Sequence, residues 1–157
     1  ATLNDAENTI DFTNAGTLTD YLFLNYQIQH SWKLGSSIYP HVHFEQANNN
    51  TPNFLFEYRW QRQGQAKTTA WTRLKCNTLA FTYTSGTLNQ IAYAAAITPP
   101  SGYSLSDIVS IRLIRDTANA SGLFTGADTY TGTVSVTAVD IHIEVDSIGS
   151  NQEYIKD

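Results

Sequence analysis

The segment from Thr133 to Asp146, TVSVTAVDIHIEVD, constrains the fold most strongly, because it alternates apolar and polar residues for longer than any other part of the chain. Alternation with a period of two predicts a long, half-buried β-strand of a sandwich or barrel. The phase of the pattern changes near Ala138 and Val139, and a β-bulge with one extra residue there would keep the apolar side chains on one face. Those side chains are Val134, Val136, Ala138, Val139, Ile141, Ile143 and Val145.

Other segments also carry the period of a strand. The clearest is Phe54 to Gln61, FLFEYRWQ, which places its aromatic residues on one face and predicts a core strand. The remaining predicted strands are Tyr21–Gln29, Ile38–Glu45, Thr69–Cys76, Thr78–Thr84, Gln90–Ile97 and Asp107–Arg115. Of these, Gln90–Ile97 suits a helix as well as a strand.

These patterns predict an all-β fold, an antiparallel β-sandwich that is jelly-roll-like, since no segment has the period of a strong amphipathic helix. An immunoglobulin-like sandwich is the alternative, although its Cys, Trp, Cys framework is absent. A length of 157 residues fits one domain. Residues 1–15 are expected to form an N-terminal arm or a linker from a longer chain, and residues 147–157 a polar C-terminal tail. Thr117–Gly132 has no period and is expected to be a long surface loop.

The charge of the chain excludes some partners. A formal net charge of −5 argues against binding nucleic acid or an anionic membrane. No apolar run approaches the roughly 20 residues that cross a bilayer. Charged residues make up only 15% of the chain, against about 25% in ordinary globular proteins. Such a weakly charged polar surface is common in virion proteins and in sugar-binding β-domains.

The strongest candidate for chemistry is GSSIYPHVHFE, residues 35–45. His41 and His43 lie two apart on a predicted strand and therefore share a face, and Glu45 continues the row. Two imidazoles and a carboxylate can bind iron, manganese or zinc. The glycine and the two histidines resemble the opening of the cupin metal motif, which implies a jelly roll and a metalloenzyme. The later cupin glutamate and the second cupin motif are not recognisable, so no metal or other cofactor is predicted.

The alternative interpretation of this row is an outward or subunit-facing surface made by Tyr39, His41, His43 and Glu45. The row of Asp140, His142 and Glu144 has the same two interpretations, and we interpret it as a solvated or subunit-facing strand face. No nucleophile elbow or phosphate-binding loop is present, and Cys76 is expected to be a packing residue. We therefore predict that the chain is not an enzyme and has no catalytic residue.

Aromatic residues raise a second possibility for binding, because their rings stack on the apolar faces of sugars. Trp60 lies on the predicted core face of its strand. Trp32 and Trp71, which are flanked by polar residues, are the candidate platforms for a carbohydrate. A carbohydrate-binding module or receptor-binding tip that recognises a host surface glycan is therefore the alternative function.

The C-terminal third contains IVSIRLIRD, then GADTYTG, then VDIHIEVDSIGSNQEYIKD, and the N-terminal half contains YPHVHFEQ followed by FEYRW. In this order, these segments resemble small β-rich structural proteins of tailed bacteriophages, described as head decoration, head fibre, neck or tail components. The resemblance implies a non-enzymatic virion protein that forms a homotrimer and contacts capsid, neck or tail proteins. The expected interface residues are Tyr39, His41, His43 and Glu45, together with Gln152, Glu153 and Tyr154 in the tail.

Overall fold

The computed structural model describes residues 1–14, 18–66, 68–78 and 86–146, and within them the chain forms strands and no helix. The all-β fold class is therefore confirmed. The strands are β1 (Thr2–Asn4), β2 (Thr9–Phe12), β3 (Tyr21–Gln27), β4 (Ile38–Gln46), β5 (Phe54–Gln61), β6 (Thr72–Thr78), β7 (Leu88–Ala94), β8 (Ile108–Arg115) and β9 (Val134–Ile143).

The nine strands make one continuous antiparallel sheet in the order β1-β2-β9-β4-β7-β6-β5-β8-β3, which curls into a half-barrel. The joint between the two halves of the sheet is the pairing of β6 with β7, where Cys76, Asn77 and Thr78 of β6 are paired within the described residues. Either side of this joint the ladders are longer, as between β4 and β9 and between β5 and β8. The curl brings the inner faces of the two halves of the sheet together around one core.

That core is built mainly from the alternating residues of β4, β5 and β8. Phe44 of β4 meets Phe54 of β5 with ring centroids 5.2 Å apart, and Phe12 of β2 meets the same ring at 6.2 Å. Trp60 is also buried, and its indole Nε1 donates a hydrogen bond of 2.8 Å to the buried carboxylate of Asp107. The aromatic face predicted for β5 thus lies in the core, as the alternation indicated.

The long C-terminal strand contains the expected bulge. His43 pairs with Ala138 and Phe44 with Val136, so Thr137 is the extra residue. The bulge lies one residue earlier than the sequence suggested, and this changes one assignment. Ala138 follows the bulge and faces outward opposite His43, whereas Val139 returns to the inner face. Val145 lies beyond the strand and is 57% exposed, although it forms an isolated bridge with Trp32.

Several predicted boundaries agree closely with the structure. β5 has the bounds predicted for it, and β4 and β8 differ from theirs by one residue. The ambiguous segment near Gln90 is a strand, β7. The predicted strand Thr78–Thr84 falls almost entirely on residues outside the described ranges, as do the polar tail, residues 147–157, and its candidates Gln152, Glu153 and Tyr154.

The N-terminal residues are not the arm that the sequence suggested. β1 and β2 pair with each other, and β2 pairs with β9, so residues 2–12 belong to the sheet. Burial explains this, because Phe12 is 1% exposed and lies in the core. Among the described residues no helix is long and apolar enough to cross a membrane.

The loop from 117 to 133 is held by an internal network. The guanidinium of Arg115, at the end of β8, pairs with the carboxylate of Asp128 at 2.8 Å, and both side chains are almost fully buried. Arg115 also donates to the backbone carbonyls of Phe12, Tyr130 and Gly132. One buried cation therefore connects the loop, the end of β8 and the N-terminal strand.

Candidate functional site

The outward row of β4 is arranged as its alternation predicts. Inner residues of this strand are buried, whereas Tyr39, His41, His43 and Glu45 are exposed or half-buried on the outer face. Tyr39 is the most accessible of them, at 46% exposure. The four residues therefore do share one surface.

The neighbouring strand β9 places its own polar row beside this one. Asp140 pairs with His41, and His142 pairs with Tyr39. Two rows that the sequence separates by about a hundred residues thus form one surface. The sequence contained both rows but no signal that β4 and β9 are neighbours.

The side chains at this junction form a compact group, which we call the histidine–aspartate cluster: His41, Asp140 and His142. Each of the three offers a ligand atom, and these atoms lie within 4.8 Å of one another. The imidazole rings of His41 and His142 lie against each other, with centroids 4.1 Å apart and planes tilted by 31°. His142 Nε2 lies 3.3 Å from Asp140 Oδ2.

The ligand group suggested by the sequence, His41 with His43 and Glu45, is not the one that the fold gathers among the described residues. Adjacent same-face positions on one strand are nearly 7 Å apart, whereas side chains on paired strands meet at closer range. His43 approaches only the carboxylate, with Nε2 at 3.6 Å from Asp140 Oδ1. Glu144, further along β9, is paired with Lys33, and this hydrogen bond raises the pKa of the lysine.

A second surface lies on the outer face of β3, β8, β5 and the start of β6. We call it the arginine–aromatic platform: Tyr21, Phe23, Arg59, Trp71 and Arg112. The guanidinium of Arg112 lies 4.5 Å from the ring of Tyr21 and 4.0 Å from the ring of Trp71. Arg59 lies 4.5 Å from the Trp71 ring, and Phe23 meets that ring edge-on at 6.3 Å. Phe23 and Tyr21 are 45% and 40% exposed.

A buried acid holds the platform in place. Glu57 of β5 is only 5% exposed, although its strand position faces outward. Its two carboxylate oxygens accept hydrogen bonds from Arg73 at 2.8 Å and from Arg112 at 3.3 Å. Sequence reasoning missed this arrangement, because an alternating Glu and Arg on a strand has the same pattern whether or not other side chains cover it.

The two candidate sugar platforms, Trp32 and Trp71, differ in their exposure to solvent. Trp32 is 0% exposed and packs in the core against Trp60 and Tyr103, so its assignment as a ligand platform is wrong. Its polar sequence neighbours concealed a tertiary contact that no local pattern reports. Trp71 is half-buried, and the guanidinium groups of Arg59 and Arg112 lie over its ring. A sugar that stacked there would compete with these cations.

Cys76 lies inside the joint between β6 and β7 and is 5% exposed. Burial strongly raises the pKa of its thiol, which keeps it protonated. A thiol is a nucleophile only as the thiolate, so this residue has the packing role that the sequence suggested and is not a nucleophile in the folded chain.

No protein-family model, curated protein or solved structure matches the chain.

Proposed function

We propose that this chain is a non-enzymatic structural protein of a tailed-bacteriophage virion that self-associates, as a homotrimer, and decorates or extends the capsid or tail. The segments quoted above, which resemble such proteins, supply the virion context. The structure contributes a surface suited to protein contact, the arginine–aromatic platform, and this is the observation on which the proposal depends.

The platform has the composition of an interaction hot spot. Tyr, Trp and Arg are the residues that most often carry binding energy at protein interfaces. Here Arg112 is pre-positioned by the buried Glu57 and by two aromatic rings, so little side-chain entropy is lost on binding. Phe23 adds an exposed apolar ring on the edge strand β3.

Charge complementarity favours a second copy of this chain as the occupant. Four of the nine Lys and Arg residues of the chain, Arg59, Arg73, Lys75 and Arg112, lie on the outer face around the platform. The outer face of β4 and β9 carries the carboxylates of Glu45 and Asp140. Contact between unlike faces of successive copies is a heterologous interface, which closes into a ring when the rotation per copy fits.

The strand order supports the jelly-roll-like part of the proposal. β2 pairs with β9, β3 with β8, β4 with β7 and β5 with β6, so eight strands pair as one long hairpin wrapped around the core. This nested pairing is the connectivity of a jelly roll, an architecture frequent in viral capsid proteins.

Sedimentation velocity of the purified chain at micromolar concentration tests the proposal. We expect a trimer, and we expect Phe23→Ser to raise the dissociation constant by about 30-fold, the effect of losing a hot-spot residue worth about 2 kcal/mol. Leu34→Ser is the matched control, because Leu34 is equally exposed, at 46%, outside the platform. A strictly monomeric chain that binds neither capsids nor tail complexes would overturn the proposal.

The alternative proposal is a carbohydrate-binding module or receptor-binding tip that uses Trp71. Its support is the half-buried indole, which meets the exposed ring of Phe23 at 6.3 Å. The neighbouring arginines favour an acidic glycan over a neutral one. Binding of acidic glycans on an array, lost in Trp71→Ala and retained in Trp32→Phe, would favour this function, and an array without hits would remove it.

A further inference from the structure

The histidine–aspartate cluster has the donor set of a metal site. Imidazole nitrogen and carboxylate oxygen together suit zinc, nickel and copper, whereas calcium and magnesium prefer sites made of oxygen alone. Its three residues come from two adjacent strands, β4 and β9, which the sheet holds in fixed register. We propose that His41, Asp140 and His142 bind one divalent transition-metal ion of the zinc class on the outer surface of the sheet.

His41 is already oriented as a ligand. Its Nδ1 lies 2.9 Å from the backbone carbonyl oxygen of Tyr39. A carbonyl oxygen can only accept a hydrogen bond, so Nδ1 carries the proton and the lone pair of the neutral ring is on Nε2. A hydrogen bond from the other ring nitrogen to a carbonyl is the usual way in which proteins fix a metal-binding histidine.

Asp140 supplies the negative charge and an unused acceptor. Its Oδ1 is shielded from solvent and accepts no hydrogen bond among the described residues, with His43 Nε2 beyond hydrogen-bond distance at 3.6 Å. Shielded acceptors in proteins are normally satisfied, and a cation is one means of satisfying them. Its other oxygen, Oδ2, lies 3.3 Å from His142 Nε2, so the carboxylate lies between the imidazoles of His142 and His43.

His142 completes the set by a small movement. Its ring lies against that of His41, with centroids 4.1 Å apart and planes tilted by 31°. The His142 side chain is 62% exposed, so its ring is free to turn toward the common point. Three protein ligands leave the fourth tetrahedral position of a zinc ion open to water or to an external group.

The test is a titration of the full chain with zinc sulfate and with nickel chloride by isothermal calorimetry, after dialysis against a chelator. We expect one ion per chain. His142→Asn should lower the affinity at least about tenfold, since loss of a mere outer-shell partner already has an effect of that size. His30→Asn, the histidine outside this surface, is the control and should leave the affinity unchanged.

Two further variants distinguish the histidine–aspartate cluster from the alternative ligand set on β4 alone, His41, His43 and Glu45. His43→Asn removes a ligand only if the site is His41, His43 and Glu45, whereas Asp140→Asn removes one only if the site is the cluster. We expect the second change to reduce affinity far more than the first. In NMR spectra of the imidazole nitrogens, zinc should shift Nε2 of His41 and leave Nδ1 protonated. Absence of binding, or loss of binding in His43→Asn with retention in His142→Asn, would overturn the proposal.

Discussion

The pair of Arg115 and Asp128 provides the most stringent test of how the fold is stabilised. The side chains are 1% and 0% exposed, and the guanidinium donates to the carboxylate and to three backbone carbonyls. Arg115→Met keeps much of the apolar volume and removes every one of these donors. Breaking a buried pair from one side costs about 3–5 kcal/mol, because the remaining charge stays buried without its partner.

This loss is a large part of the total stability, which is about 5–15 kcal/mol for a domain. For a chain of this size it corresponds to a fall in Tm of roughly 6–20 °C. Urea unfolding followed by tryptophan fluorescence measures the free energy, and calorimetry measures Tm. The matched control is Arg62→Met, since the Arg62 guanidinium donates an exposed hydrogen bond to the carbonyl oxygen of Ser101, and this substitution should change the free energy of unfolding by less than about 1 kcal/mol.

A double variant separates two effects of Arg115→Met: the unpaired charge left on Asp128 and the packing lost with the arginine side chain. In the Arg115→Met background, Asp128→Asn removes the unpaired charge but sets an amide NH2 against the backbone N–H of Asn53 or Tyr130, so it should cost less free energy of unfolding there than in the wild-type background. In the wild-type background the same Asp128→Asn change should be destabilising. If Arg115→Met costs less than about 1 kcal/mol, or if the two changes are simply additive, the buried pair does not hold the loop as described.

Other consequences of the packing are open to direct measurement. Because burial raises the pKa of Cys76, the native chain should not react with a thiol reagent at about pH 8 and should react once in denaturant. Trp60→Phe should lower the free energy of unfolding by about 1–3 kcal/mol, since buried Asp107 loses a charge-assisted hydrogen bond. Calorimetry measures this change, and an unchanged stability would mean that the hydrogen bond does not stabilise the fold. Deletion of Thr137 should restore a regular ladder and be tolerated. Deletion of Ser135 should instead turn Val136 from the inner to the outer face and lower the free energy of unfolding in urea by about 1.5–3 kcal/mol. Equal effects of the two deletions would contradict the position of the bulge.

Local periodicity predicted the strands and their faces well. β5 has alternating aromatic residues, β8 has a nearly continuous apolar run, and the change of phase near Ala138 predicted a bulge. These features depend on neighbours along the chain, which a sequence displays. The outward position of Ala138 was missed because the pattern allows the extra residue to sit on either side of it.

What the sequence did not display was which strands lie side by side. His41 and Asp140 form one cluster only because β4 and β9 pair, and Glu57 is buried where Arg73 and Arg112, from two other strands, pair with it. Trp32 has polar neighbours in sequence and apolar neighbours in space. Each of these cases depends on contacts between distant segments, for which no local signal exists.

The nested pairing of the strands also fixes an order of events during folding. The innermost pair joins residue 58 to residue 72, whereas the outermost joins residue 10 to residue 136. Closing a longer loop costs more chain entropy, so β5 and β6 are expected to associate first and β2 with β9 last. During synthesis, β2 leaves the ribosome long before its partner exists. One edge of β2 therefore stays unpaired until β9 has been made.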